Sequence, residues 1–159
     1  MRIPFRGYAV ARTITGELEL GAERLKDLLE RGSTLVVLRA TQEGLDESGP
    51  VRVPRLELDP SDLLAAQAEE PRVSAQRHIR TIPHRTSATF GPYTVTGDLQ
   101  NRPGASPMSG FQSGHPLVSF TDASIVFSRA GRTVTLRAET LLVNARRVDW
   151  AGGVVSEAT

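Results

Sequence analysis

Thr13-Ile14-Thr15-Gly16-Glu17-Leu18 returns in the second half of the chain as Thr94-Val95-Thr96-Gly97-Asp98-Leu99. Four of the six positions are identical, and the other two exchange Ile for Val and Glu for Asp. The similarity extends downstream, where Leu35-Val36-Val37-Leu38 answers Leu117-Val118-Ser119-Phe120 and Asp62-Leu63-Leu64 answers Thr140-Leu141-Leu142. Self-similarity at a fixed period is the mark of a repeated structural unit, so the chain reads as one unit written twice. The expected fold is mainly β (α+β), an internally duplicated small barrel or sandwich with one clear helix in the first copy. Its expected parts are a first repeat over 1–70, a connector over 71–88, a second repeat over 89–150 and a flexible tail over 151–159.

Tyr8 to Thr15 is rich in β-branched and aromatic residues, which predicts a strand. Gly16 interrupts it, and Gly97 recurs at the same place in the second copy; a glycine inside a strand marks a bulge or bend. Leu18 and Leu20 then alternate with Glu17 and Glu19, the period of a half-buried strand. Leu18 and Leu99 are expected to point into the core.

A helix follows. Leu25, Leu28 and Leu29 form an i, i+3, i+4 stripe among Glu23, Arg24 and Asp27, and Gly32 stands where a left-handed C-terminal residue is favoured. The second copy has no such segment. Its Asn101-Arg102-Pro103-Gly104-Ala105-Ser106-Pro107-Met108-Ser109-Gly110-Phe111 is too rich in Pro and Gly to be helical, and the surface left uncovered falls to Met108, Phe111 or a partner. Downstream, Leu35 to Ala40 predicts a covered strand, and Val51, Val53, Leu56 and Leu58 predict another, with Pro54 placing it at an edge. Asp59-Pro60-Ser61-Asp62 starts a helical turn, and a strand is expected after it in both copies. Arg129-Ala130-Gly131-Arg132 predicts a tight hairpin turn.

With 159 residues, 39% hydrophobic content and 10 prolines, the chain suits one ordinary domain or two very small ones. No apolar run approaches the roughly 20 residues of a membrane span, and the first residues lack the pattern of a signal peptide, so a cytoplasmic protein without membrane contact is expected. There are no cysteines, which removes disulfides, thiol catalysis and zinc-cysteine sites. Lys26 is the one lysine in an otherwise all-arginine basic set, the usage of a GC-rich bacterial genome.

The net charge of +1 conceals a division. Residues 1–70 hold nine basic against thirteen acidic residues, a net of −4, and residues 71–159 hold ten against five, a net of +5. Opposite halves attract, within a chain or between chains. The basic stretch is densest at Arg72, Arg77, His78, Arg80, His84 and Arg85, with no acid until Asp98. Such a cluster gains affinity for polyanions by counterion release, with Phe90 or Tyr93 available to stack a base, or it neutralises the acidic half.

Catalytic patterns are poor. His78, His84 and His115 lack a nearby carboxylate to complete a metal set, and Asp98 occupies the repeat position of Glu17, the place of an exposed strand residue and not of an acid or base. Neither a nucleophile elbow nor a phosphate-binding glycine loop is present. No catalytic residue, metal or cofactor is expected.

The order of pieces in the second copy resembles the Sm-like small β-barrel: the glycine-bearing strand around Gly97-Asp98-Leu99, a strand ending in Thr121-Asp122-Ala123, a short hairpin, then Val134-Thr135-Leu136-Arg137-Ala138-Glu139 leading to a last strand. That family binds RNA and forms rings. Here the helix sits between strands and the family's Asp-x-x-x-Asn base-binding pattern is missing, so the RNA function does not carry over. Arg24-Leu25-Lys26-Asp27-Leu28-Leu29-Glu30 before Leu35-Val36-Val37-Leu38 is similar to uncharacterised bacterial domains with an R-L-x-D-L-L motif, which implies no activity. The expected function is a non-enzymatic assembly or scaffold module, pairing with itself or another protein; the alternative is nucleic-acid binding through the connector. The candidate interaction residues are Arg77, His78, Arg80, His84, Arg85, Met108 and Phe111.

Overall fold

A computed structural model describes residues 2–21, 23–69, 82–101 and 116–153. The protein is mainly β, and it separates into two compact units. Unit 1 comprises 1–73 with 128–134, and unit 2 comprises 74–127 with 135–159.

Unit 1 runs β1 (Arg2–Ala9), β2 (Arg12–Glu19), α1 (Leu25–Arg31), β3 (Leu35–Gly44), β4 (Pro50–Leu58), a 3-10 turn (Pro60–Asp62) and β5 (Leu63–Ala68). Its strands lie in the order β5-β1-β2-β3-β4, all neighbours antiparallel. Tyr8 to Thr15 is therefore two strands and not one. The chain turns at Val10-Ala11, pairing Tyr8 with Thr13. No Gly, Asn or Pro marks that turn, so the sequence pattern runs through it without a break. Ile3, Phe5, Ile14, Leu18, Leu35, Val37 and Leu58 are buried together with Leu63 to Ala66, which are covered on both sides of β5.

Unit 2 runs β6 (Ile82–Phe90), β7 (Tyr93–Asn101), β8 (Leu117–Arg129) and β9 (Arg132–Asn144) apart from their hairpin tip at 128–134, which belongs to unit 1, a 3-10 turn (Ala145–Arg147) and β10 (Trp150–Gly153). Its order is β10-β6-β7-β8-β9. Residues 82–88 of the expected connector are thus strand. Phe90, Tyr93 and Phe127 form the aromatic centre of the core, with Tyr93 edge-on to Phe127 at 5.3 Å between ring centroids. Edge-to-face packing places the positive rim of one ring on the negative face of the other.

Both glycines of the opening motif sit at register shifts. Between the pairs Thr15↔Thr41 and Glu17↔Leu38, Gly16 faces two residues, Arg39 and Ala40. Between Thr96↔Ser124 and Asp98↔Thr121, Gly97 faces Asp122 and Ala123. Each is a β-bulge, and the extra residue is left-handed: Arg39 at φ 50° and Asp122 at φ 48°. One added residue reverses which side chains face inward. Leu35 and Val37 are buried before the bulge and Ala40 after it; Val118 and Phe120 are buried before the other, and Ala123, Ile125 and Phe127 after it.

The bulges also set the register between the two stretches. Arg39 stands where Asp122 does, so Leu38 stands with Thr121; the ungapped match of Leu35–Leu38 to Leu117–Phe120 is one residue out of step. The match of Asp62-Leu63-Leu64 to Thr140-Leu141-Leu142 does not hold either, because Leu63 and Leu64 follow the 3-10 turn of unit 1 while Leu141 and Leu142 precede that of unit 2. The turns themselves are alike. Asp59 Oδ1 accepts from the Ser61 amide at 3.0 Å, and Asn144 Oδ1 accepts from the Arg146 amide at 3.1 Å. A helical turn followed by a strand occurs in each unit, as expected.

Helix α1 ends as its sequence requires. Gly32 is left-handed at φ 71°, and the amides of Gly32 and Ser33 cap the carbonyls of Leu29 and Leu28. Its expected apolar stripe is only partly used: Leu25 is 1% exposed, but Leu28 and Leu29 are half-buried. A seven-residue helix makes two turns and anchors by one side chain.

Candidate functional site

Of the residues singled out in the sequence, Arg77, His78, Arg80, Met108, Phe111 and His115 lie outside the described residues. The backbone of His84 is in β6 opposite Leu99. Arg85, also in β6, faces Asp98 across the strand pair; its Nη1 lies 3.5 Å from Asp98 Oδ1 and donates to the Asp122 carbonyl at 3.1 Å. Asp98 is therefore engaged by a guanidinium, and Asp122 by its backbone. Arg85 fastens the bulge of unit 2 from the neighbouring strand. Its guanidinium contacts lie within its own unit.

The division of charge also changes once the real units are counted. Unit 1 holds twelve basic and thirteen acidic residues, a net of −1, and unit 2 holds seven and five, a net of +2. The strong opposition of the two sequence halves arose from cutting the chain at residue 70. Arg129 accounts for part of the difference, since it belongs to unit 1, where it pairs with Glu43 at 3.5 Å and donates to Thr13 Oγ1.

Three surfaces remain among the described residues. The first is the outer edge of β4, which ends the strand order of unit 1 and pairs only with β3. This strand is nine residues long, exposes Val51 at 56% and half-buries Val53 and Leu56. An unpaired edge presents a row of free amides and carbonyls. Pro50 and Pro54 interrupt that row, and Pro54 falls opposite the left-handed Arg39, between the pairs Leu38↔Arg55 and Ala40↔Val53. The second is a shallow groove of about 690 Å³ beside α1, floored by Leu28, Val36 and Leu38 and rimmed by Arg2, Glu19 and Arg55.

The third surface is the segment from Asn144 to Trp150, none of whose residues was among the candidate interaction residues. Arg146, Arg147 and Trp150 are all exposed, the indole at 57%. The signal available was the proximity of an Arg-Arg pair to the chain's one tryptophan. The backbone here is held at both ends: the Ala145 amide donates to the Pro116 carbonyl at 3.0 Å and the Asp149 amide to the Thr89 carbonyl at 2.8 Å.

Among the described residues no group of three His, Asp or Glu side chains is placed to hold a metal ion, and no helix is long and apolar enough to cross a membrane. No family model, curated protein or solved structure matches the chain.

Proposed function

We propose that the chain is a non-enzymatic assembly module built from two copies of one small β-barrel unit, and that it pairs with a second copy of itself along the edge of β4. Duplication is supported by the glycine-bearing second strand, the left-handed bulge residue opposite it and the capped 3-10 turn before the last strand, each present in both units. The Sm-like resemblance belongs to the same proposal, resting on the bent glycine strand and the short hairpin. The observation that carries the function is the β4 edge: a long strand with one free side and an exposed valine on it. Its two prolines withhold amide donors and so bound the length over which another strand can add, favouring a closed pair over open-ended stacking.

Light scattering over a range of protein concentrations tests this. The expected result is a mass above the 17.2 kDa of one chain. Because the units carry nearly balanced charge, added salt leaves the assembly in place. Val51→Lys, which sets a charge on the edge, shifts the protein to one chain while its circular dichroism is unchanged. A single-chain mass at every concentration and salt overturns the proposal.

A further inference from the structure

The segment Asn144 to Trp150 is a prepared surface, and it is independent of the β4 edge. Asn144 caps the 3-10 turn, Pro116 and Thr89 hold its two ends, and Asp149 turns its carboxylate away to accept the Gly91 amide at 3.0 Å. That last bond matters electrostatically. The one acidic group in the segment is occupied by a backbone donor, and among the described residues neither Arg146 nor Arg147 has an ion pair. Five other arginines do: Arg2 faces Glu17, Arg31 faces Glu23, Arg55 faces Glu57, Arg85 faces Asp98 and Arg129 faces Glu43.

Close to this cationic pair in the chain is an exposed indole. A Cβ placed on Gly152 would stand 2.8 Å from Trp150 Cζ2 and 3.1 Å from Cη2, so the ring rests against the glycine backbone. The absence of a side chain at Gly152 leaves room for the ring, more than half of whose residue surface is exposed. Two residues, Val148 and Asp149, separate Arg147 from Trp150, so their Cα atoms are at most about 11 Å apart. That reach matches a ligand presenting a flat ring and an adjacent anion. A guanidinium recognises phosphate through two parallel N–H donors, and an exposed indole stacks any base.

We propose that Arg146, Arg147 and Trp150 form a binding platform for single-stranded nucleic acid, with the arginines on the phosphates and the indole stacked on a base. The pre-held backbone lowers the ordering cost of binding, and stacking on an indole is tolerant of which base is presented.

The chain's one tryptophan is itself the reporter. Oligouridylate or oligothymidylate titrated at low salt into the full chain quenches Trp150 fluorescence, and affinity falls as salt rises. The double variant Arg146→Ala/Arg147→Ala, exposed and harmless to the fold, weakens binding by about tenfold or more and reduces the slope of log affinity against log salt by roughly 1.4. Gly152→Val, which lifts the ring and keeps both arginines, weakens binding about fivefold with the salt slope unchanged. Three results overturn the proposal: no quenching by either oligonucleotide, a salt slope indifferent to loss of both arginines, or a spectral shift only with vesicles of anionic phospholipid.

Discussion

Gly16 and Gly97 occupy the same place in two hairpins, yet the space around them differs. A Cβ on Gly16 would lie 2.5 Å from Val37 Cγ1 and 2.8 Å from the Leu38 carbonyl oxygen. On Gly97 it would meet Ala123 and the Thr121 carbonyl at 3.1 Å. In unit 1 the strands are pressed together at the bulge, and in unit 2 alanine leaves a little slack. The residues opposite differ too, Arg39 against Asp122, and only the second is held by an arginine from the next strand. The same backbone device is thus met by two local solutions: tight packing in unit 1, and a guanidinium clamp in unit 2.

The largest expected effect comes from filling the glycines. Gly16→Ala forces a methyl into a backbone carbonyl that cannot step aside and costs about 3 kcal/mol, the upper range of overpacking. Gly97→Ala requires only a few tenths of an ångström of yield and costs about 1 kcal/mol. Urea unfolding of the two variants measures the difference; equal costs would show that the two bulges are packed alike.

A smaller effect of opposite sign is expected at the left-handed residues. Non-glycine residues are strained there by roughly 1–2 kcal/mol, and aspartate tolerates the region better than arginine does. Glycine recovers that strain and gives back part of it in unfolded-chain entropy. Arg39→Gly therefore stabilises by about 0.5–1 kcal/mol, whereas Asp122→Gly is close to neutral. Thermal unfolding in which Asp122→Gly gains more than Arg39→Gly would reverse this ranking.

The smallest effect is a pH dependence that belongs to one unit alone. Asp59 caps its 3-10 turn as a carboxylate, and the amide and hydroxyl of Ser61 hold its pKa below the ordinary 3.8. A depressed folded pKa means that the stabilisation is complete above the unfolded value and is lost as pH falls through the folded one, hence below about 3.8. Asn144 caps the other turn and does not titrate. Acid should loosen the 59–63 segment before the 144–148 segment in amide exchange, and Asp59→Asn should abolish the lag. Simultaneous loosening in the parent protein would mean that the caps do not govern the turns.

Local chemistry made much of this legible. Gly32 ended the helix where a left-handed residue was required, the Ala130-Gly131 turn was plain, and the glycines in the strands marked bulges. What escaped was written in contacts between strands. Nothing at Val10-Ala11 distinguishes a turn from a strand, so β1 was invisible, and the partner of Gly16 is an ordinary Arg-Ala pair more than twenty positions away. Leu28 and Leu29 share a face with Leu25 yet are only half-buried, with Leu28 left lining the groove beside α1, which spacing alone does not show. The Arg146-Arg147-Trp150 platform escaped because strand reading asks which residues hide and not which are left outside.

The bulges impose an asymmetric rule on how this chain can change length. Between β2 and β3 the count of residues is unconstrained by strand pairing, and the chain spends it on a short helix. Within β3 and β8 it is not. Losing Arg39 or Asp122, or gaining a neighbour beside either, would turn every downstream side chain of that strand inside out, exchanging Ala40 or Ile125 for residues that now face water. Insertions and deletions should therefore accumulate freely before Leu35 and be purged within β3 and β8, whereas substitutions in the same strands remain permissible so long as size is kept.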